Sequence, residues 1–169
     1  AALAGRATEA MPGFEETTPP VPVPDVRFAD AGGRPLTLAD FRGRIVLLNF
    51  WATWCAPCVR EMPSLDRLQA RLGGPEFEVV ALSLDRGGAA LVTPFFERLG
   101  ITHLKQYLDT SSRSSTAFGV RGLPTTVLID RDGRELGRVS GPAEWDSEAA
   151  IVFISSHLEG AITTTGSFD

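Results

Sequence analysis

Cysteine is scarce in this chain: 169 residues hold two, Cys55 and Cys58, three positions apart. A secreted domain held together by disulfides carries four or more, widely spaced. This pair cannot staple distant parts of a fold, so its work is chemical. Histidine is equally sparse. His103 and His157 lie far from the cysteines, and a zinc site, which needs about four ligands, finds no set here. No run of Lys or Arg forms a nucleic-acid footprint, so nucleic acid is not an expected partner. The net charge of −5 serves solubility. No apolar stretch approaches the roughly 18 residues of a membrane span. The longest, Ile45 to Trp51, is interrupted by Asn49. The chain opens on Ala1, so any leader or membrane anchor lies outside this sequence. No internal repeat breaks it into units.

What is present suits one globular domain with a substantial core. Residues 1–24 read as a proline-rich flexible linker, because Pro12, Pro19, Pro20, Pro22 and Pro24 forbid a regular helix or a central strand. The domain is expected over 25–160, and 161–169 as a C-terminal tail. Val26–Phe28 and Leu36–Leu38 read as an N-terminal hairpin about Gly32-Gly33. Ile45–Trp51 reads as a buried central strand. A helix is expected from Cys55 to Leu72, with Val59, Met62, Leu65, Leu68 and Leu72 on one face and Gly73-Gly74-Pro75 as its stop. Further strands are predicted at Phe77–Leu84, Leu104–Leu108, Thr125–Ile129 and Glu135–Val139. Further helices are predicted at Ala89–Leu99, Ser112–Phe118 and Trp145–Leu158. Asp130-Arg131-Asp132-Gly133 is a strong hairpin turn. Strands alternating with helices and closing on a hairpin imply an α/β fold with a mixed central sheet flanked by helices.

The chemistry sits in Trp54-Cys55-Ala56-Pro57-Cys58, directly after a buried strand and at a helix start. There the helix dipole and free backbone N–H groups favour negative charge on Cys55. A free thiol has a pKa of about 8.5, and such motifs bring it to roughly 3.5–7.5. Moving from 8.5 to 7 is worth about 2 kcal/mol and raises the thiolate fraction at neutral pH from about 3% to about half. Cys58, one turn inside, is expected to be more buried and less acidic. Cys55 is then the attacking thiol and Cys58 the resolving one, in exchange through a mixed disulfide. Pro57 costs little at the first turn, where its missing N–H is unused. With Ala56 it helps to set the reduction potential. Used as soft ligands instead, the two thiols would make a copper-binding chaperone.

The run Asn49-Phe50-Trp51-Ala52-Thr53-Trp54-Cys55-Ala56-Pro57-Cys58-Val59-Arg60-Glu61-Met62-Pro63 resembles the active-site segment of the TlpA/ResA/DsbE branch of thioredoxin-like proteins. Gly119-Val120-Arg121-Gly122-Leu123-Pro124-Thr125-Thr126 resembles that branch's cis-proline loop. The resemblance covers about residues 26–158 and implies a thioredoxin-like fold with an inserted helix-strand unit over about 85–109. It implies a thiol–disulfide oxidoreductase with no bound cofactor beyond the redox-active Cys55–Cys58 disulfide, and no metal. Its expected setting is periplasmic or outward-facing, tethered by an N-terminal segment absent from this chain. The expected partners are protein disulfides, in an apocytochrome c, a copper chaperone or an oxidase subunit. Electrons would come from an upstream membrane thiol reductant, and the chain is expected to act as a monomer.

By the same resemblance the candidate catalytic residues are Cys55, Cys58, Glu61 and Pro124. The candidate target-binding residues are Trp54, Ala56, Pro57 and Leu123. Pro124 is expected to carry a cis bond after Leu123 and to sit against the disulfide, with Leu123 backbone open to an extended target segment. Asn49 stands where thioredoxin itself has a proton-relaying Asp, and an amide cannot exchange a proton near neutral pH. Glu61, one turn beyond Cys58, takes that task as general base or as the charge that raises the cysteine pKa values. Its alternative is a solvated helix residue or a partner of Arg60 or Arg67. Trp51 is expected to pack under the loop and Trp145 to start the last helix. Trp54 is either core filler or contact surface. His103 reads as a loop residue and His157 as a solvated position. The motif alone leaves the direction of electron flow open between reductase and oxidase, because direction depends on potential against compartment. The single domain leans away from an isomerase.

Overall fold

Every residue of Ile45–Trp51 is buried, and this segment forms the predicted central strand. The computed structural model describes residues 11–165. The strands are β1 (Phe14–Pro22), β2 (Arg27–Asp30), β3 (Pro35–Thr37), β4 (Ile45–Trp51), β5 (Phe77–Ser83), β6 (Tyr107–Leu108), β7 (Thr125–Ile129) and β8 (Arg134–Ser140). The helices are α1 (Ala56–Leu72), α2 (Ala89–Leu99), α3 (Arg113–Ala117) and α4 (Glu148–Thr165). All eight strands join one sheet in the order β1-β8-β7-β4-β5-β6-β2-β3. The β4–β5 and β5–β6 pairs are parallel; the β4–β7, β7–β8, β2–β3 and β2–β6 pairs are antiparallel. The mixed sheet, the N-terminal hairpin and the inserted α2–β6 unit all match the sequence reading.

Side chains alternate across a strand, and β4 feeds two cores. Val46, Leu48 and Phe50 join Phe28, Phe41, Tyr107 and Phe118 on one side. Ile45, Leu47 and Trp51 join Met62, Leu65 and Leu68 of α1, Phe96 of α2, and Phe153 and Ile154 of α4 on the other. Asn49 falls between Leu47 and Trp51 on this second side. It is the only polar residue in the strand, and it is fully buried.

Four expectations need correction. The proline-rich segment is not a linker over 14–22. It is β1, an edge strand antiparallel to β8, with Phe14 opposite Val139 and Pro22 opposite Arg134. The register slips between Glu16 and Val21, so Pro19-Pro20 fall where no ladder bond is required of them. Phe14 packs edge-on against Phe153, ring centroids 4.7 Å apart. Gly137 makes room for it: a Cβ there would lie 2.3 Å from the Phe14 ring. The predicted linker over 1–10 lies outside the described residues. Second, the strand at Leu104–Leu108 shrinks to Tyr107–Leu108 because the N–H groups of Thr102, His103 and Leu104 turn to the Asp66 carboxylate, at 2.8–3.3 Å. Third, the last helix begins at Glu148, where Ser147 Oγ accepts the Ala150 N–H at 3.2 Å, and not at Trp145. It runs through Gly160 to Thr165, so the expected tail is helical to that point; a lone glycine costs a helix only about 1 kcal/mol. Residues 166–169 lie outside the described residues. Fourth, His157 is not solvated. It is half-buried with its ring 4.9 Å from that of Phe153, and burial lowers its pKa. Among the described residues no helix is long and apolar enough to cross a membrane.

Candidate active site

The site begins where β4 runs out. Cys55 N–H donates to Ala52 O at 3.1 Å, turning the chain, and Cys55 O accepts the Val59 N–H at 3.0 Å as the helix starts. Cys55 is the N-cap of α1, with extended backbone at φ −95° and ψ 103°. Its Sγ accepts the Cys58 N–H at 3.3 Å. A capping oxygen does this in most helices; here a sulfur faces the positive end of the dipole. The two sulfurs form a disulfide across a Cα–Cα distance of 5.3 Å. Cys55 keeps 7% of its surface and Cys58 none. The expected difference between an accessible and a sealed cysteine is therefore present. Ala56 is exposed and Pro57 partly so, both in the first turn.

Glu61 lies one turn along α1 on its buried face, and 4% of it is exposed. It is neither solvated nor paired with Arg67, which reaches Asp146 at 2.6 Å. Its Oε1 accepts from Asn49 Nδ2 at 2.8 Å, and its Oε2 accepts from the Ala143 N–H at 2.8 Å. The Trp145 indole N–H stands close, outside hydrogen-bond geometry, and adds to the pull on the charge. Desolvation outweighs these donors and pushes the Glu61 pKa up to about 7. A carboxyl poised there can give or take a proton at neutral pH. Asn49 Nδ2 also donates to Thr126 Oγ1 at 3.0 Å, which links the helix to β7.

Leu123–Pro124 carries the expected cis peptide bond, and Pro124 is buried just ahead of β7. Leu123 packs against both cores. A groove of about 400 Å³ runs along residues 119–125, walled opposite by Arg138, Ser140 and Gly141. Neither cysteine lines it; Leu123 and Pro124 do. Trp54 stands next to Cys55 with 72% of its surface exposed, which removes the core-filler reading. Trp51 is sealed and stacks on Phe96, centroids 5.9 Å apart.

The loop between Trp51 and Cys55 has an anchor that sequence reading missed. Asp85, buried at the end of β5, accepts the Thr53 N–H at 3.0 Å and the Thr53 hydroxyl at 2.6 Å. Ser83 Oγ donates to the same carboxylate at 2.7 Å. The one signal in the sequence was an acid directly after the predicted Val- and Leu-rich strand Phe77–Leu84. Thr126 and Ala143 carried no signal, because their partners lie far away in the chain. When reduced, the two sulfurs are the group best suited to a soft metal ion. No cluster of three or more His, Cys, Asp or Glu among the described residues adds to them.

Residues 19–152 match the Redoxin family model. This chain belongs to the Redoxin family. It is 40% identical over 137 residues to the thiol-disulfide oxidoreductase ResA of Geobacillus thermodenitrificans, covering 80% of this chain and 74% of the relative. It is 36% identical over 118 residues to the protein of the same name from Geobacillus kaustophilus, covering 70% and 67%. Among solved structures it resembles one from Chlorobium tepidum assigned as the thiol:disulfide interchange protein DsbE. That match has 30% identity and a TM-score of 0.73, covering 86% of this chain and 99% of the other. The fold of this Redoxin member is thioredoxin-like, and the helix-capping Cys55–Cys58 pair makes it a thiol–disulfide oxidoreductase.

Proposed function

We propose that this chain is a dithiol reductant of protein disulfides on the outward side of a membrane. Its place is in cytochrome c maturation or in assembly of the cytochrome oxidase copper centre. The observation that carries the reading is the unequal burial of a helix-capping Cys55 and a sealed Cys58, with Glu61 one turn away. In the reduced protein, the Cys55 thiolate attacks one sulfur of the target disulfide. That S–S bond breaks, a mixed disulfide forms, and one target thiolate leaves. Cys58 then loses its proton, with Glu61 as the acceptor, and attacks Cys55 Sγ. The Cys55–Cys58 bond forms, the second target thiolate leaves, and two electrons have passed to the target. A dithiol of an upstream membrane reductant returns the pair to its reduced state by the reverse exchange. No bound cofactor enters any step.

The target is an extended protein segment. Trp54, Ala56 and Pro57 give it a surface beside Cys55, and Leu123 with Pro124 gives it an edge along the groove. Likeness to a thiol-disulfide oxidoreductase, ResA, supports the exchange chemistry, and the direction of flow and the outward-facing, tethered setting follow from the resemblance to the TlpA/ResA/DsbE branch. Equilibration of the pair with glutathione or dithiothreitol tests the direction. A reductant gives a potential of about −200 mV or lower, and a value near about −120 mV, as in strong oxidants, overturns it. Cys58→Ser then traps the physiological target as a mixed disulfide on Cys55.

A further inference from the structure

Glu61 has two hydrogen-bond partners, and both are donors: Asn49 Nδ2 and the Ala143 N–H. That arrangement fits a carboxylate. A protonated carboxyl also brings a donor of its own, and a buried O–H needs an acceptor. One stands beside it. Asn49 Oδ1 is buried and finds no donor among the described residues. We propose that Asn49 is the positioning residue that sets when Glu61 takes up a proton, by turning its amide between two hydrogen-bonded states.

With Glu61 ionised, Nδ2 faces outward from β4 and donates to both Glu61 Oε1 and Thr126 Oγ1. With Glu61 protonated, a half-turn about the Asn49 side-chain amide exchanges Nδ2 and Oδ1. Oδ1 then accepts the carboxyl proton, and the Thr126 hydroxyl donates to it in place of accepting. In each state one amide atom is left over, Oδ1 in the first and Nδ2 in the second. The proton on Glu61 decides between the two states. Thr126 lies two residues after Pro124, so the turn also reverses a hydrogen bond at the start of β7. Among the described residues no charged side chain bonds or pairs with Glu61. The groups acting on it are Asn49 from β4, Ala143 and Trp145 from the segment before α4, and burial itself. Cys58, on its own helix, is held in the disulfide.

The inference deepens the role given to Glu61 above, and its test is separable from that role. In the oxidised protein neither cysteine titrates and no target is present, so the midpoint of the Glu61 carboxyl carbon signal belongs to Glu61 alone. A hydrogen bond to a charged group is stronger than one between neutral groups, and Asn49 offers the first to ionised Glu61 and the second to protonated Glu61. Asn49→Leu, which removes both, is therefore expected to raise that midpoint by about half a pH unit or more. In the unmodified protein the Asn49 side-chain amide signals are expected to shift with the same midpoint as Glu61. In Glu61→Gln they are expected to hold still across the same range. An unchanged midpoint in Asn49→Leu overturns the proposal, as do Asn49 amide signals that stay flat in the unmodified protein. Should Asn49→Leu fail to fold, the titration of the unmodified protein and of Glu61→Gln decides the matter.

Discussion

The two sides of β4 differ by one residue. On one, β4 presents only apolar residues, Val46, Leu48 and Phe50. On the other, Asn49 interrupts Ile45, Leu47 and Trp51 and ties α1 to β7 through Glu61 and Thr126. From the first side β4 contributes packing alone. The second surrenders apolar contact at its centre and holds a carboxyl whose proton comes off near neutrality. A polar pair is tolerated there because its groups bond each other and the backbone of Ala143. The contrast separates what keeps this strand in place from what the strand does.

Substitutions on the two sides should therefore part company. The largest effect belongs to the site: Cys55→Ser is expected to lower the rate of disulfide reduction at least about a thousandfold while leaving the protein folded. A fluorogenic disulfide assay beside a melting curve measures both. Next comes the side that β4 fills with apolar residues alone, where Phe50→Ala costs about 3–5 kcal/mol in urea unfolding, and the exchange rate per folded molecule stays the same. An equal loss of rate would mean that the two sides are coupled after all.

The third effect is a slope. Glu61 holds its proton more tightly folded than unfolded, so the folded protein binds the extra proton between about pH 4.5 and 7. Stability from this group is complete below pH 4.5 and is lost as pH rises through 7, by about 3 kcal/mol. Urea titrations of the oxidised protein at pH 4.5 and 8 should show that loss, and Glu61→Gln should abolish it. Asp85→Asn, which weakens the hold on Thr53, costs about 1–2 kcal/mol by the same unfolding measurement. Trp54→Ala is the smallest: stability should move by less than about 0.5 kcal/mol. KM for a protein disulfide should rise severalfold, with a small-molecule disulfide unaffected.

Much of this was legible in the chain itself. Ile45–Trp51, Ala89–Leu99 and Thr125–Ile129 appear with the predicted limits, because long apolar or periodic runs leave little choice. Cys55 and Cys58 announced themselves by spacing, and the cis bond at Pro124 by its flanking residues. The proline-rich start misled, since proline excludes a central strand but not an edge. The facts that place it there, Phe14 against Phe153 and the missing side chain at Gly137, lie more than a hundred residues away. The same distance hid Thr126 and Ala143. Glu61 could be named from its offset to Cys58, but its burial and the donors around it are products of tertiary packing.

Both rims of the sheet carry proline: Pro19, Pro20 and Pro22 in β1, and Pro35 in the three-residue β3. A loose strand of another chain pairs most readily with an open sheet edge. A rim with missing N–H groups offers such strands a broken ladder. Addition of a further strand at either flank is thereby disfavoured. The segment that reads in sequence as mere tether thus also acts against aggregation.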